Sequence, residues 1–486
     1  MSSAANRRRR RPGSPKRIKK PSWAGALRAA LGLLACALAA LVYQNSFDNP
    51  FVFDDRETVL LNPALIAPWD WSAAAIQNIA RPIVTLSYAF DRGFWGFSSF
   101  GFHVTNVVLH IVVVGLFYGW CTRVVGSDPA RTGVKGRADR GQTGGRRGSD
   151  TSLTPDWAAF FAAAIFALHP VMSAAVGYVS ARSELLAAAG FLASLTFARR
   201  AIVARSRTAA ILAGIFGALA IGSSSSAAAL PIVVLAYDAW VLRDPRWPVR
   251  LARVYAPATL AIVSIAAWHV SGAGINAVPD RGPVANLLME SRVLWRYVML
   301  LVVPRGQSLV HDVHWVTSVF DPVSLAALAA SAAAVAAAIW NRKRYPLVAF
   351  GIIWFIGGLA ATTSFLPVRD AMAEHRLYLA SPGLLLAAAS VTWRPVSGRR
   401  ALRIVLTAVL ALLATQTYRR NQLWSNPMEV WEQSVRRAPN AWQSHWGYGE
   451  LLREIGQCDR ARSEYASVLR LYPDHAGGRA GLDACR

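Results

Sequence analysis

Apolar residues run along this chain in long unbroken blocks, and polar residues gather between the blocks. The first run, 24–43, matches the roughly 20 apolar residues that a membrane-spanning helix needs. Ten more follow at approximately 103–124, 157–175, 183–198, 208–222, 227–242, 251–271, 322–340, 345–365, 378–393 and 401–418, each bounded by charge, proline or glycine. The pattern predicts an all-α, polytopic membrane bundle of about 11 spans. The stretch 285–303 is also apolar but contains Glu290, Arg292 and Arg296. It reads as a re-entrant or interfacial helix in a large outer loop, where those charges meet water. A cleavable signal peptide is the rival reading of the first block, because Ala37 and Ala39 form a small-residue cleavage pattern.

Composition agrees with the blocks. Of 486 residues, 54% are hydrophobic and 16% charged, which argues against a purely soluble chain. The net charge of +25 would on a soluble protein point to nucleic acid, so its distribution decides. With a cytoplasmic N-terminus, the inside segments 1–20, 123–156, 199–207, 243–253, 341–344 and 394–403 hold 31 of the 52 basic residues. The outer segment 45–102 holds three basic residues and six acidic ones. The charge therefore serves membrane topology, as the positive-inside rule requires. Four cysteines are too few for a disulfide scaffold and lie at no metal-binding spacing.

Three regions follow: a basic cytoplasmic tail (1–22), a membrane domain (23–422) and a charged, amphipathic tail (423–486). Within the membrane domain, 126–156 is rich in glycine, arginine, serine and threonine and reads as a disordered cytoplasmic linker. In the C-terminal tail, Gly449, Leu452, Gly456, Ala461, Tyr465 and Pro473 occupy the small, aromatic and helix-ending positions of a tetratricopeptide repeat. A shift of 34 residues lays Pro473 on Pro439 and Tyr465 on Trp431, so the tail is about one and a half repeats. Repeats bury their faces by stacking, so this short array must lean on the membrane domain, a partner or another copy. Cys458 and Cys485 would lie on the oxidising side, where a disulfide can form.

The informative outer loop is NSFDNPFVFDDRETVLLNP (45–63), in which aromatic and apolar residues flank the adjacent Asp54 and Asp55. With RPIVTLSYAFDRGFWGFSSFGFHVTNVVLH (81–110), FALHPVMSAAVGYVSARSELLA (166–187), AEHRLYLASPG (373–383) and the repeat tail, it resembles one family: the transmembrane and tetratricopeptide-repeat containing O-mannosyltransferases and their bacterial relatives, of the C-type glycosyltransferase superfamily. The resemblance implies a polyprenyl-phosphate-linked sugar donor and transfer on the outer face. It also implies that the acidic pair supplies a catalytic base, which the chemistry accommodates. A hydroxyl attacking an anomeric carbon sheds a proton that a carboxylate in reach can accept. In an extended loop neighbouring side chains point apart, so Asp54 is read as base and Asp55 as loop anchor.

The leaving phosphate calls for cations at the outer surface. Arg376, with His375 beside it, is the first candidate and Arg182 the next; the alternative for Arg376 is an interfacial anchor. His103, at the outer end of the second span, is placed to reach the donor phosphate, while Asn106 and His110 share its face and suit helix-to-helix hydrogen bonds. His169 ends an apolar helix at the outer face and suits a cap as well as a ligand. Glu184 and Glu374 are left to pair with Arg182 and Arg376 or with a divalent ion. One departure stands out: many relatives carry a Lys-Glu pair before the sixth span, where this chain has GSSSSAAALP (222–231).

The expected protein is an inverting glycosyltransferase of the bacterial inner membrane. It would move a mannose-like sugar to a protein hydroxyl, with the repeats engaging the acceptor. The alternatives are a lipid or glycan acceptor, or a non-catalytic membrane-anchored repeat scaffold. A transporter is disfavoured because its charges would cluster near the midplane. The topology has a direct check: a reporter fused after Arg486 is expected outside and one inserted near Gly141 in the cytoplasm. A cytoplasmic C-terminus would mean a miscounted span, with 285–303 the first suspect.

Overall fold

The computed structural model describes residues 22–66, 70–78, 81–125, 154–272, 282–313, 315–316, 318–363 and 370–485. The predicted basic tail falls outside these residues except for Ser22, and so does 126–153 of the predicted linker. The linker's last three residues instead begin the helix Thr154–Leu168, because Asp156 has a partner: Arg28 of the first helix reaches its carboxylate at 2.8 and 3.2 Å.

The protein is an all-α membrane protein with a helical C-terminal part, and no strand occurs among the described residues. Each of the eleven apolar blocks carries helix. Six helices are long and apolar enough to cross a membrane: Gly25–Ser46, Ser99–Val125, Val179–Ala204, Ser225–Leu242, Pro322–Asn341 and Arg400–Trp424. A seventh candidate is broken, turning by 50° between Asp156–Leu168 and Pro170–Val176. The break has a local cause, since a residue before proline is pushed out of the α region and His169 takes extended angles. Arg207–Ile221 and Pro346–Thr362 are apolar but shorter. The charged stretch forms a 20-residue helix, Pro283–Val302, with Glu290 and Tyr297 buried.

The core gathers Phe117, Trp120, Phe166, Trp354 and Tyr378 from four helices. Apolar side chains also face outward, Leu33 being 72% exposed and Trp340 87%, as suits a surface that meets lipid. Helix contact relies on small residues where backbones must approach. A Cβ on Gly351 would stand 2.2 Å from the Gly383 carbonyl oxygen, so the helices Pro346–Thr363 and Leu377–Gly398 touch only because both positions are glycine. Several polar groups inside the bundle are paired. His110 lies 2.7 Å from the Tyr378 hydroxyl, and Asn106 donates to the Val176 carbonyl at 3.1 Å.

Four helices form the tail: Pro427–Arg437, Trp442–Glu454, Cys458–Leu471 and Ala476–Ala484. Gly456, at φ +79°, ends the second in the left-handed conformation that glycine adopts without strain. Trp431, Tyr448, Leu452, Ala461 and Tyr465 form the tail's core. The tail leans on the membrane part rather than standing free. Trp431 packs edge-on to Phe53 at 5.3 Å, Glu454 pairs with Arg56, and Asn440 donates to Asp312 at 2.8 Å.

A disulfide joins Cys458 to Cys485, across a Cα separation of 5.2 Å, and staples the third tail helix to the chain end. Closing a loop of 27 residues removes unfolded-chain entropy worth about 3–4 kcal/mol. Reducing the bond, or replacing both cysteines by serine, is expected to destabilise the tail by roughly that amount. Denaturant unfolding followed by tryptophan fluorescence measures it; unchanged stability would show that the staple contributes nothing.

Candidate active site

The loop after the first helix does not run extended through its acidic pair. It turns at Phe53 and Asp54 and enters a short π-helical segment, Arg56–Leu60. Phe53 has φ +56°, a left-handed conformation costly for an aromatic residue and of the kind that clusters at functional sites. Its ring is held between Tyr178, 6.3 Å away, and Trp431. The turn still sends the two carboxylates apart. Asp55 is buried: one oxygen accepts from the Ser180 N–H and hydroxyl at 2.6 Å each, the other from the Val52 N–H at 3.1 Å. Burial outweighs these bonds and pushes its pKa to about 7.

Asp54 is exposed. Its backbone N–H donates to the Tyr178 hydroxyl at 3.2 Å. Protein nonetheless crowds the carboxylate, and loss of bulk water, together with the charges of Asp370 and Glu57, raises its pKa to about 6 against the lowering effect of Tyr178. Tyr178 stacks on Trp424 at 6.1 Å and lies 6.5 Å from His375, so three distant segments meet around it. Its hydroxyl is held well above the ordinary tyrosine range by burial and then by the two aspartates.

Arg376 and His375 sit in a short 3-10 turn, Glu374–Arg376, where the chain enters the helix Leu377–Gly398. The Arg376 guanidinium reaches the Ala371 carbonyl at 3.5 Å, and among the described residues it makes no ion pair. Burial, then the charges of Arg376 and Arg81, lowers the His375 pKa to about 3, so the ring is neutral and offers a phosphate an N–H but no charge. Arg81 is exposed, and its charge also bears on Glu184.

Arg182 is used differently from the sequence expectation. It is fully buried. Its Nε donates to Asn106 at 2.7 Å, Nη1 to the Ser87 carbonyl and hydroxyl at 3.3 and 3.4 Å, and Nη2 to the Phe102 carbonyl at 2.9 Å; Nη2 also pairs with Asp91 at 2.6 Å. Four hydrogen bonds and the ion pair with Asp91 thus take up the guanidinium inside the protein. His169 is likewise taken up as a cap: Nδ1 accepts from the Val171 N–H at 3.3 Å while Nε2 lies 3.1 Å from the Leu301 carbonyl. His103 is wholly buried, with its ring against the Asn49 backbone.

The two glutamates take hydrogen bonds from groups other than Arg182 and Arg376, though the Arg376 charge bears on Glu184. Glu184 accepts from the hydroxyls of Ser224 at 2.7 Å and Ser226 at 2.9 Å, so two of the four serines in the run serve this carboxylate. Glu374 accepts from the Ser308 N–H at 2.7 Å and lies 3.0 Å from His311 Nε2. Burial alone would raise its pKa, but the hydrogen bond and charge of His311, then Arg420 and the Ser308 N–H, hold it below the ordinary value. Among the described residues no three His, Cys, Asp or Glu side chains gather as a metal site.

Tyr178, Trp424, Asp370 and Arg81 carry no local signal in the sequence; only the fold brings them to Asp54 and His375.

The chain is 22% identical over 473 aligned residues to a protein O-mannosyl-transferase of Caenorhabditis elegans, covering 91% of this chain and 63% of that protein. Against protein O-mannosyl-transferase TMTC1 of Homo sapiens it is also 22% identical, covering 93% of this chain and 56% of the relative. A shorter match, 30% identical over 139 residues, joins it to tmtc2 of Xenopus laevis and covers 22% of this chain and 17% of that protein. The chain therefore spans about 60% of the length of the first two relatives. No family profile matches it, and no solved structure does. Along most of its length, this chain is similar to the protein O-mannosyl-transferases.

Proposed function

We propose that the chain is a membrane glycosyltransferase. It transfers a mannose-like sugar from a polyprenyl-phosphate donor to a protein hydroxyl, on the side where the first loop and the tail meet. The observation that carries this reading is Asp54: an exposed carboxylate with a pKa near 6, aimed by a strained turn and backed by a buried neighbour. Similarity to protein O-mannosyl-transferases supports the reaction class. In the step, the acceptor oxygen bonds to the anomeric carbon as the carbon–phosphate oxygen bond breaks. Its electron pair leaves on the phosphate, and the hydroxyl proton passes to Asp54. The phosphate needs no general acid, so one carboxylate suffices. Arg376 and Arg81 are the cations proposed to meet the developing charge, with His375 contributing an N–H. The tail's contact with the catalytic loop at Phe53 supports a role in presenting a protein acceptor.

A scaffold without catalysis is the second reading, favoured by the serine run that stands where relatives are expected to carry Lys-Glu. The two are separated by activity. Asp54→Asn is expected to lower sugar transfer by roughly 10²- to 10⁴-fold while expression, insertion and donor binding persist. Arg376→Ala is expected to weaken donor binding and turnover together, because a cation beside the phosphate acts in ground and transition states. Wild-type rates in both variants would move the active site elsewhere, and an inactive wild type would favour the scaffold.

The pH dependence follows from the raised pKa. Only ionised Asp54 accepts a proton, so transfer is expected to rise with pH through about 6 and level off above it. A rate independent of pH between 5 and 7 would deny Asp54 the role of base.

A further inference from the structure

The outer end of the Arg400–Trp424 helix lines a polar cavity of about 710 Å³. Arg305, Arg419, Arg420 and Arg437 face it, against the single acid Glu429. None of its lining residues belongs to the proposed transfer site. Arg420 is 8% exposed, donates through Nη1 to Gln433 at 2.7 Å, and has no partner for its Nε–H. The Gln416 amide oxygen is also buried and unpartnered. Buried polar atoms are normally satisfied, so an orphan donor and an orphan acceptor lining one basic cavity call for a ligand.

A second cavity, of about 490 Å³, shares Arg419 and Gln422 with the first. Its other walls are mostly apolar: Leu38, Leu41 and Val42 of the first helix, Leu168, and Ala414. The two helices are joined at their outer ends, where Asn421 donates to the Val42 carbonyl at 2.9 Å and Asn45 to the Tyr418 carbonyl at 2.9 Å. Leu41 is 60% exposed and Leu412 57%, so this side of both helices faces lipid. An apolar groove that opens into a cluster of four cations has the shape and charge of a lipid bearing an anionic head.

We propose that the two cavities form one lipid site. An anionic glycerophospholipid of the surrounding leaflet sets its phosphate among the four arginines and lays an acyl chain along Leu38, Leu41 and Ala414. The Arg420 Nε–H meets a phosphate oxygen, and a headgroup hydroxyl meets the Gln416 amide oxygen, which favours a glycerol-bearing head such as phosphatidylglycerol. Arg437 and Glu429 belong to the first tail helix, so the bound lipid bridges the tail to the membrane helices. This assignment is independent of the transfer reaction.

The test is native mass spectrometry of the full-length protein in detergent, titrated with dioleoyl-phosphatidylglycerol and, as zwitterionic control, dioleoyl-phosphatidylcholine. Phosphatidylglycerol is expected to bind more tightly. Arg305→Gln with Arg419→Gln removes two exposed cations that make no ion pair among the described residues, and is expected to weaken binding by about 10- to 30-fold without shifting the thermal midpoint. Leu41→Trp, which fills the groove, is expected to weaken phosphatidylglycerol binding while leaving binding of glycerol 3-phosphate unchanged. Equal binding of the two lipids, or binding indifferent to the arginine variant, would overturn the site. So would displacement of phosphatidylglycerol by a far lower concentration of a polyprenyl phosphate, which would give the cavity to the transfer reaction's own carrier.

Discussion

A guanidinium buried beyond the reach of water must find every partner inside the protein, and Arg182 does so by drawing three segments together. Its partners lie on the helix Pro82–Trp95, through Ser87 and Asp91, and on the helix Ser99–Val125, through Phe102 and Asn106. Losing one member of such a pair typically costs about 3–5 kcal/mol, because the other charge remains stranded. The residues just before Arg182 inherit this rigidity. Ser180 holds Asp55, Tyr178 holds the backbone of Asp54, and the Val179 carbonyl accepts from Tyr88 at 3.0 Å. The loop carrying the carboxylates is therefore positioned by a charge that touches neither of them.

The second support comes from the tail. Phe53 keeps its unfavourable backbone angle while its ring lies between Tyr178 and Trp431, one from the membrane part and one from the tail. Glu374 works in the same direction, gathering Ser308 and His311 of the 303–321 loop, whose Ser308 in turn lies 3.5 Å from Ser434. The face proposed for chemistry is thus assembled from loops that have little structure of their own and lean on one another.

Much of the architecture was legible in the sequence, because a helix exposed to lipid must hide its backbone polarity and advertise its length as an apolar run. The candidate site was legible only in part. Asp54 and Asp55 could be told apart by assuming an extended loop; the chain turns there instead, and the buried neighbour is identified by Ser180, 125 residues further on. Arg182 read as a phosphate ligand because an arginine at an outer helix end suits that task, and nothing local signals that Asp91 takes up its charge. The serine run read as a loss, since spacing alone does not reveal that both hydroxyls converge on Glu184. In each case the deciding partner lies across the fold, where periodicity carries no information.

The bond between Cys458 and Cys485 gives the chain's last helix a dependence on where it is made. Its small, glycine-rich sequence offers little to bury beyond Gly478 and Gly481, and its far end is tied down at Cys485. On a reducing side of the membrane the thiols would remain apart and the end of the array would fray. Completion of the tail in this sense depends on the redox state of the compartment that receives it, and the bond would form only where thiols are oxidised.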